Sequence, residues 1–178
     1  MSDEPVTPVT SNDYDLSTEG GIVAPISEEE LFSDCDLVLG HEGVTRPCMV
    51  SVSLVGEERM REINLEWRGV DRATDVISLE CERPDDPALA PGEPCELGDI
   101  VLAPAYIARQ AAAFGTTEAD EFRLLLVHGL LHLLGHDHLD EAEAEAMEAR
   151  EEELLALLPC DAPITHVTLT RHREGVDE

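Results

Sequence analysis

In CMVSVSLV, residues 48 to 55, Val50, Val52 and Leu54 alternate with Ser51 and Ser53, a period of two that predicts a half-buried strand. DVISLECE at 75 to 82 and LGDIVLAP at 97 to 104 predict two further strands. Elsewhere a helical period takes over. ISEEELFSDCDLVL predicts an amphipathic helix with Ser27 as N-cap and Glu30 three residues on, a capping-box pair. GEERMREINLEW sets Met60, Ile63, Leu65 and Trp67 near helical spacing, and the only tryptophan is expected in the core. AYIARQAAAFG predicts a helix stopped at Gly115. TEADEFRLLLVHGLLHLLG predicts the next, capped by Thr117 and Asp120 and stopped at Gly135. From Leu124 onward it is apolar on nearly every side, so it is expected to be the central buried helix. DEAEAEAMEAREEELLALL predicts an exposed acidic helix that ends near Pro159.

The segments between these elements set the organisation. Residues 1 to 20 mix Pro, Ser, Thr and acids and read as a flexible acidic tail, followed by a short strand at Gly21 to Ala24. RPDDPALAPGEPCE is a proline-rich loop of a length that belongs to function or disorder. A few strands and several helices, with the strands in the first two thirds, indicate an α+β domain: a small mixed sheet packed with helices. One such domain is expected over 21 to 158, with a C-terminal tail over 159 to 178.

Charge narrows the partners. The formal net charge is −29, there is no lysine, and 11 arginines face 40 acids. Polyanion binding rests largely on attraction to cations, so at face value this composition opposes it. RMREINLEWRGVDR, 59 to 72, is the one locally basic stretch. No positively charged start precedes an apolar segment, and the apolar run around 124 to 134 is too short and too rich in histidine to span a bilayer. A cytoplasmic protein is expected, with no membrane partner. Cys35, Cys48, Cys81, Cys95 and Cys160 are scattered and odd in number, so they read as reduced packing residues.

The chemistry concentrates in HGLLHLLGHDH, 128 to 138. His128 and His132 are four apart on a helix and project from one face about a turn apart, the spacing of two ligands to one metal. Gly135 lets the chain reverse, which can bring His138 back over that face. Three neutral imidazoles with an open fourth position describe a catalytic zinc site. His136 is an alternative third ligand, and all four histidines could close a structural site. His138 is preferred because a ligand needs chain length to complete the turn after Gly135. The spacing also matches the metzincin proteases, HExxHxxGxxH, but their general base is a glutamate where Gly129 stands here. A glycine inside a helix costs on the order of 1 kcal/mol against alanine, so it is expected either to leave room beside the metal or to allow close packing.

Several separated blocks together resemble the YbeY endoribonucleases, bacterial factors that process ribosomal RNA. They are HGLLHLLGHDH, INLEWRGVDRATDVISLECE with its N-x-x-[YW]-R-G-x-x-x-x-T-D-V-[LI]-S run, LGDIVLAP, and M-x-A-R-E from Met147, spanning about residues 45 to 158. Leu79 and Glu80 stand where the family usually has Phe-Pro, and Ala73 replaces a common proline. The resemblance implies one zinc per chain on His128, His132 and His138, with Arg68 lining the metal cleft. It implies an endoribonuclease for single-stranded ribosomal RNA in small-subunit 3′-end processing and ribosome quality control. The ribosome or its small subunit, and a ribosomal protein, are then the expected partners, and DNA is not.

The residues themselves agree on Arg68, whose planar fork suits phosphate, while Trp67 beside it could stack a base. Thr74, Asp75 and Ser78 could cap the turn into the strand, and Asp99 could orient a ligand imidazole. Zinc on three histidines lowers the pKa of water toward neutrality, which answers the missing glutamate. Two alternatives use the same residues: a zincin-type metallopeptidase, and a non-catalytic ribosome assembly factor with a structural zinc.

Overall fold

Four strands form one mixed sheet in the order β1-β2-β4-β3, in which β1, β2 and β4 run parallel and β3 runs antiparallel to β4. The structure is a computed structural model that describes residues 12–136 and 140–164. Along the chain the elements are β1 (Asp13–Thr18), α1 (Glu28–His41), β2 (Cys48–Leu54), α2 (Glu57–Arg68), β3 (Val76–Glu80), β4 (Cys95–Leu102), α3 (Pro104–Phe114), α4 (Glu118–Leu133) and α5 (Glu141–Leu155). The α+β class is as the patterning predicts.

The two sheet faces carry different loads. Val50, Val52 and Leu54 of β2 and Ile100 and Leu102 of β4 join residues of α1, α4 and α5 in the main core. Met60 and Ile63 of α2 meet Ile77 of β3 and Val101 of β4 in a smaller cluster. Strand alternation therefore puts α4 and α2 on opposite faces of the sheet. As expected, α4 is the central helix, with Phe122, Leu126, Leu130 and Leu131 fully buried. Each such side chain contributes roughly 1.5–3 kcal/mol relative to exposure.

Capping fixes the ends of α1 and α4. The Ser27 hydroxyl accepts from the Glu30 amide at 3.1 Å, and Thr117 accepts from the Asp120 amide at 3.1 Å. Gly135, at φ 104°, closes α4 with the bonds Gly135 N to His132 O at 3.0 Å and His136 N to Leu131 O at 2.9 Å. A buried ion pair ties α4 to α1: the Arg123 guanidinium donates to Asp34 at 2.9 Å and to Glu30 at 2.7 Å. Burial pushes the Asp34 carboxyl up even so, since the arginine only partly offsets the lost hydration.

Three expectations change. Residues 13–18, placed in the N-terminal tail by their polarity, form edge strand β1, held when Asn12 accepts from the Cys48 amide and Tyr14 donates to Asp36. Gly21 to Ala24 is not a strand. The C-terminal boundary also moves. Past Pro159 the chain docks on α4, with the Asp161 and Ala162 amides donating to Asp120 at 2.7 and 3.1 Å and Ile164 buried. The proline-rich loop is pinned by Arg46, which donates to the carbonyls of Pro84, Ala90 and Glu93.

Candidate metal centre

The last two turns of α4 bring His128 and His132 together. Their Nε2 atoms lie 3.1 Å apart and their rings meet edge to face at 4.6 Å between centroids. Two nitrogens at about 2.0–2.1 Å from a tetrahedral metal would be separated by roughly 3.3 Å, so this pair has the spread of two ligands to one ion. On the far side of the His128 ring, Nδ1 is 2.5 Å from a Glu151 carboxylate oxygen. A proton held there leaves the Nε2 lone pair free to face its neighbour. Glu151 is buried on α5, whereas His128 keeps about a quarter of its side chain exposed, so the imidazole is reachable and its support is not.

The electrostatics favour a cation. Burial pushes the His128 pKa down, but the Glu151 carboxylate, with Asp75 and Glu148 beyond it, outweighs burial and raises it. These acids arrive from different elements. Asp75 ends the α2–β3 loop, where its carboxylate accepts from the Val76 amide at 2.7 Å and from the Thr74 hydroxyl at 3.3 Å, so Asp75 caps the strand and Thr74 bonds to the capping carboxylate. Ser78 instead donates to the Gly129 carbonyl at 3.3 Å.

Gly129 answers to packing. A Cβ there would lie 3.1 Å from the Ile100 side chain and 3.2 Å from the Ser78 hydroxyl. Close contact of α4 with β3 and β4 thus accounts for the glycine, and the space is not open room for substrate. The Arg83 guanidinium, ion-paired to Glu80 at 2.7 Å, covers Gly135 so closely that a Cβ there would meet it at 2.6 Å. That puts a cation from the β3–β4 loop against the turn after His132.

Of the other residues considered for the site, His136 and Asp99 turn elsewhere. His136 points its Nε2 at Glu42, the residue that caps the C-terminus of α1, 2.8 Å away, and Glu42 also holds Arg150. His138 lies outside the described residues. Asp99 is exposed and, by strand parity with Ile100, faces away from α4, so it orients neither His128 nor His132. Glu151 has that position, and the signal was present in the M-x-A-R-E block, whose final glutamate it is. Met147 packs in the core as expected. Trp67 does not: it is 60% exposed. Arg68, the last residue of α2, is also exposed, and among the described residues nothing pairs its guanidinium. Of the cysteines, Cys35, Cys48 and Cys95 are buried and none is in a disulfide.

Fold and site together define a class: an α+β protein whose central helix presents a His-x3-His pair backed by a buried carboxylate. The comparisons name it. The family model of Endoribonuclease YbeY matches residues 25–159. Endoribonuclease YbeY of Moorella thermoacetica is 46% identical over 135 residues, covering 72% of this chain and 86% of that one. The Mycolicibacterium vanbaalenii protein of the same name is 41% identical over 147 residues, covering 79% and 77%. A Thermotoga maritima protein known from its solution structure shares the fold at 21% identity, with a TM-score of 0.53 over 93% of this chain and 95% of that one. The chain belongs to the YbeY endoribonuclease family, and it is an enzyme of the hydrolase class.

Proposed function

We propose that the protein is a zinc-dependent endoribonuclease that cuts single-stranded ribosomal RNA in the cytoplasm, acting in small-subunit 3′-end maturation and ribosome quality control. The observation that carries this reading is the convergent Nε2 pair of His128 and His132, in a chain of an endoribonuclease family. The donor set fits zinc: two convergent imidazole nitrogens, one ring oriented by a carboxylate, in an electronegative setting. His128 and His132 would hold the ion, with His138 as the third ligand. When bound, zinc supplies Lewis acidity that stands in for the absent glutamate base.

This chain's own residues do the rest. Glu151 holds the His128 Nδ1 proton and so keeps Nε2 facing the site. Arg68, which has no acidic partner among the described residues, binds nonbridging phosphate oxygens, whose charge grows as the phosphodiester is attacked. The ribosome supplies most of the localisation, because a chain at −29 is a poor RNA binder by itself.

The peptidase reading loses support at Gly129, where a glutamate would have to push aside the Ile100 and Ser78 side chains packed against the helix. The structural-zinc reading needs His136 as a fourth ligand, and that imidazole is engaged by Glu42. Among the described residues, no helix is long and apolar enough to cross a membrane.

The test is metal content and single-stranded RNA cleavage on one preparation of wild type, His136→Ala, His138→Ala and Arg68→Ala. Zinc loss in the His138 variant only, with Arg68→Ala zinc-loaded but inactive, is the expected result. Zinc loss in both histidine variants, with no cleavage by wild type, would make the site structural and the protein an assembly factor.

A further inference from the structure

Resting on the RNA reading, we propose that the C-terminal turn of α2 and the loop after it form a landing surface for single-stranded RNA. Trp67 stacks a base there, and Arg72 makes a phosphate contact in addition to Arg68. Three observations lead to this. Trp67 is 60% exposed, which removes packing as the reason for the only tryptophan in the chain. Arg68 and Arg72 are both exposed. Among the described residues they are also the two arginines whose guanidinium has no carboxylate or carbonyl partner; Arg59, Arg83 and Arg109, for example, are ion-paired. In a chain with 40 acids, two neighbouring unpaired arginines beside an open indole mark a surface that excess acid has not neutralised.

The loop is also built to hold that state. Arg61 takes both oxygens of Asp71, at 2.7 and 3.2 Å, so the acid next to Arg72 is already occupied. The buried Asn64 donates from its side-chain amide to the Arg72 carbonyl at 2.8 Å and accepts from the Val70 amide through its main-chain carbonyl, which fixes the backbone that presents Arg72. Three residues further on is Asp75, after which β3 carries Ser78, whose hydroxyl donates to the carbonyl of Gly129, the neighbour of His128. The Cα atoms of Arg72 and Asp75 are therefore at most about 11 Å apart. A strand lying on Trp67, Arg68 and Arg72 is thus led toward the histidines. An aromatic platform combined with free cations suits a single strand, whose bases offer their faces, better than a stacked duplex.

Because Trp67 is the sole tryptophan, its emission reports directly on stacking. Titrating the zinc-loaded protein with a short single-stranded RNA is expected to quench that emission, and the matching duplex to quench it far less. Trp67→Ala is expected to weaken binding roughly 5- to 100-fold, with Trp67→Phe keeping most of the affinity. Arg72→Ala is expected to weaken binding and to reduce the slope of log K against log salt by about 0.7. Arg59→Ala, whose partner is Glu62, should bind as wild type does. Unchanged emission at RNA concentrations that saturate cleavage would overturn the landing surface while leaving the endoribonuclease reading intact. If zinc-loaded wild type neither bound nor cut the RNA, both would fall together.

Discussion

Glu151 is one of seven glutamates in α5, and only its position separates it from the other six. Buried and 2.5 Å from His128 Nδ1, it fixes which nitrogen carries the proton. Outer-shell carboxylates of this kind typically change metal affinity 10- to 100-fold. Glu151→Gln should therefore lower zinc affinity by about that factor in a competition with a chelating dye, with cleavage recovering in excess zinc. Unchanged affinity would mean that Glu151 is a packing residue. The histidine pair was legible in the sequence because i, i+4 spacing on a helix is a local property. Its support was not, because contact between α4 and α5 is a tertiary fact and α5 is acidic along its length. Asp99 was the wrong choice for the same reason: parity puts it opposite Ile100, but nothing local says which sheet face α4 covers.

At the scale of elements, the central helix is held by close approach and by charge. A side chain at Gly129 must displace Ile100 or Ser78, so Gly129→Leu is expected to destabilise by about 1–3 kcal/mol in urea unfolding. Gly129→Glu should be similarly destabilised and should gain no peptidase activity; a stable, proteolytic variant would revive the peptidase reading. Arg123→Ala strands the buried Asp34 carboxylate and should cost about 3–5 kcal/mol, measured by the same method. Caps and amphipathic faces were readable here: Ser27 and Thr117 accept the amides their spacing predicts, and β2 alternates between buried and half-buried positions. Strand β1 was hidden because DYDLST is polar. An edge strand borrows its pairing from the neighbour β2, and its sequence need not record a buried face. Trp67 was misplaced because its spacing from Met60 and Ile63 does put it on the apolar stripe, but it stands in the last turn of α2, where nothing covers the stripe any longer.

Across the whole molecule, charge and function pull in opposite directions. With −29 overall, long-range repulsion should keep isolated RNA binding weak, and the local exception at Arg68 and Arg72 should make what remains steeply salt-dependent. Affinity for a single-stranded RNA is expected to rise sharply as salt is lowered, and strong partner-independent binding at physiological salt would contradict this. The most direct test of a catalytic zinc on α4 is cleavage of single-stranded RNA by the purified protein before chelation, after it, and after zinc is restored, with His132→Ala alongside. Loss on chelation, recovery with zinc and a metal-free, inactive His132→Ala are predicted. Cleavage that survives complete zinc removal would show that the histidine pair does not run the reaction.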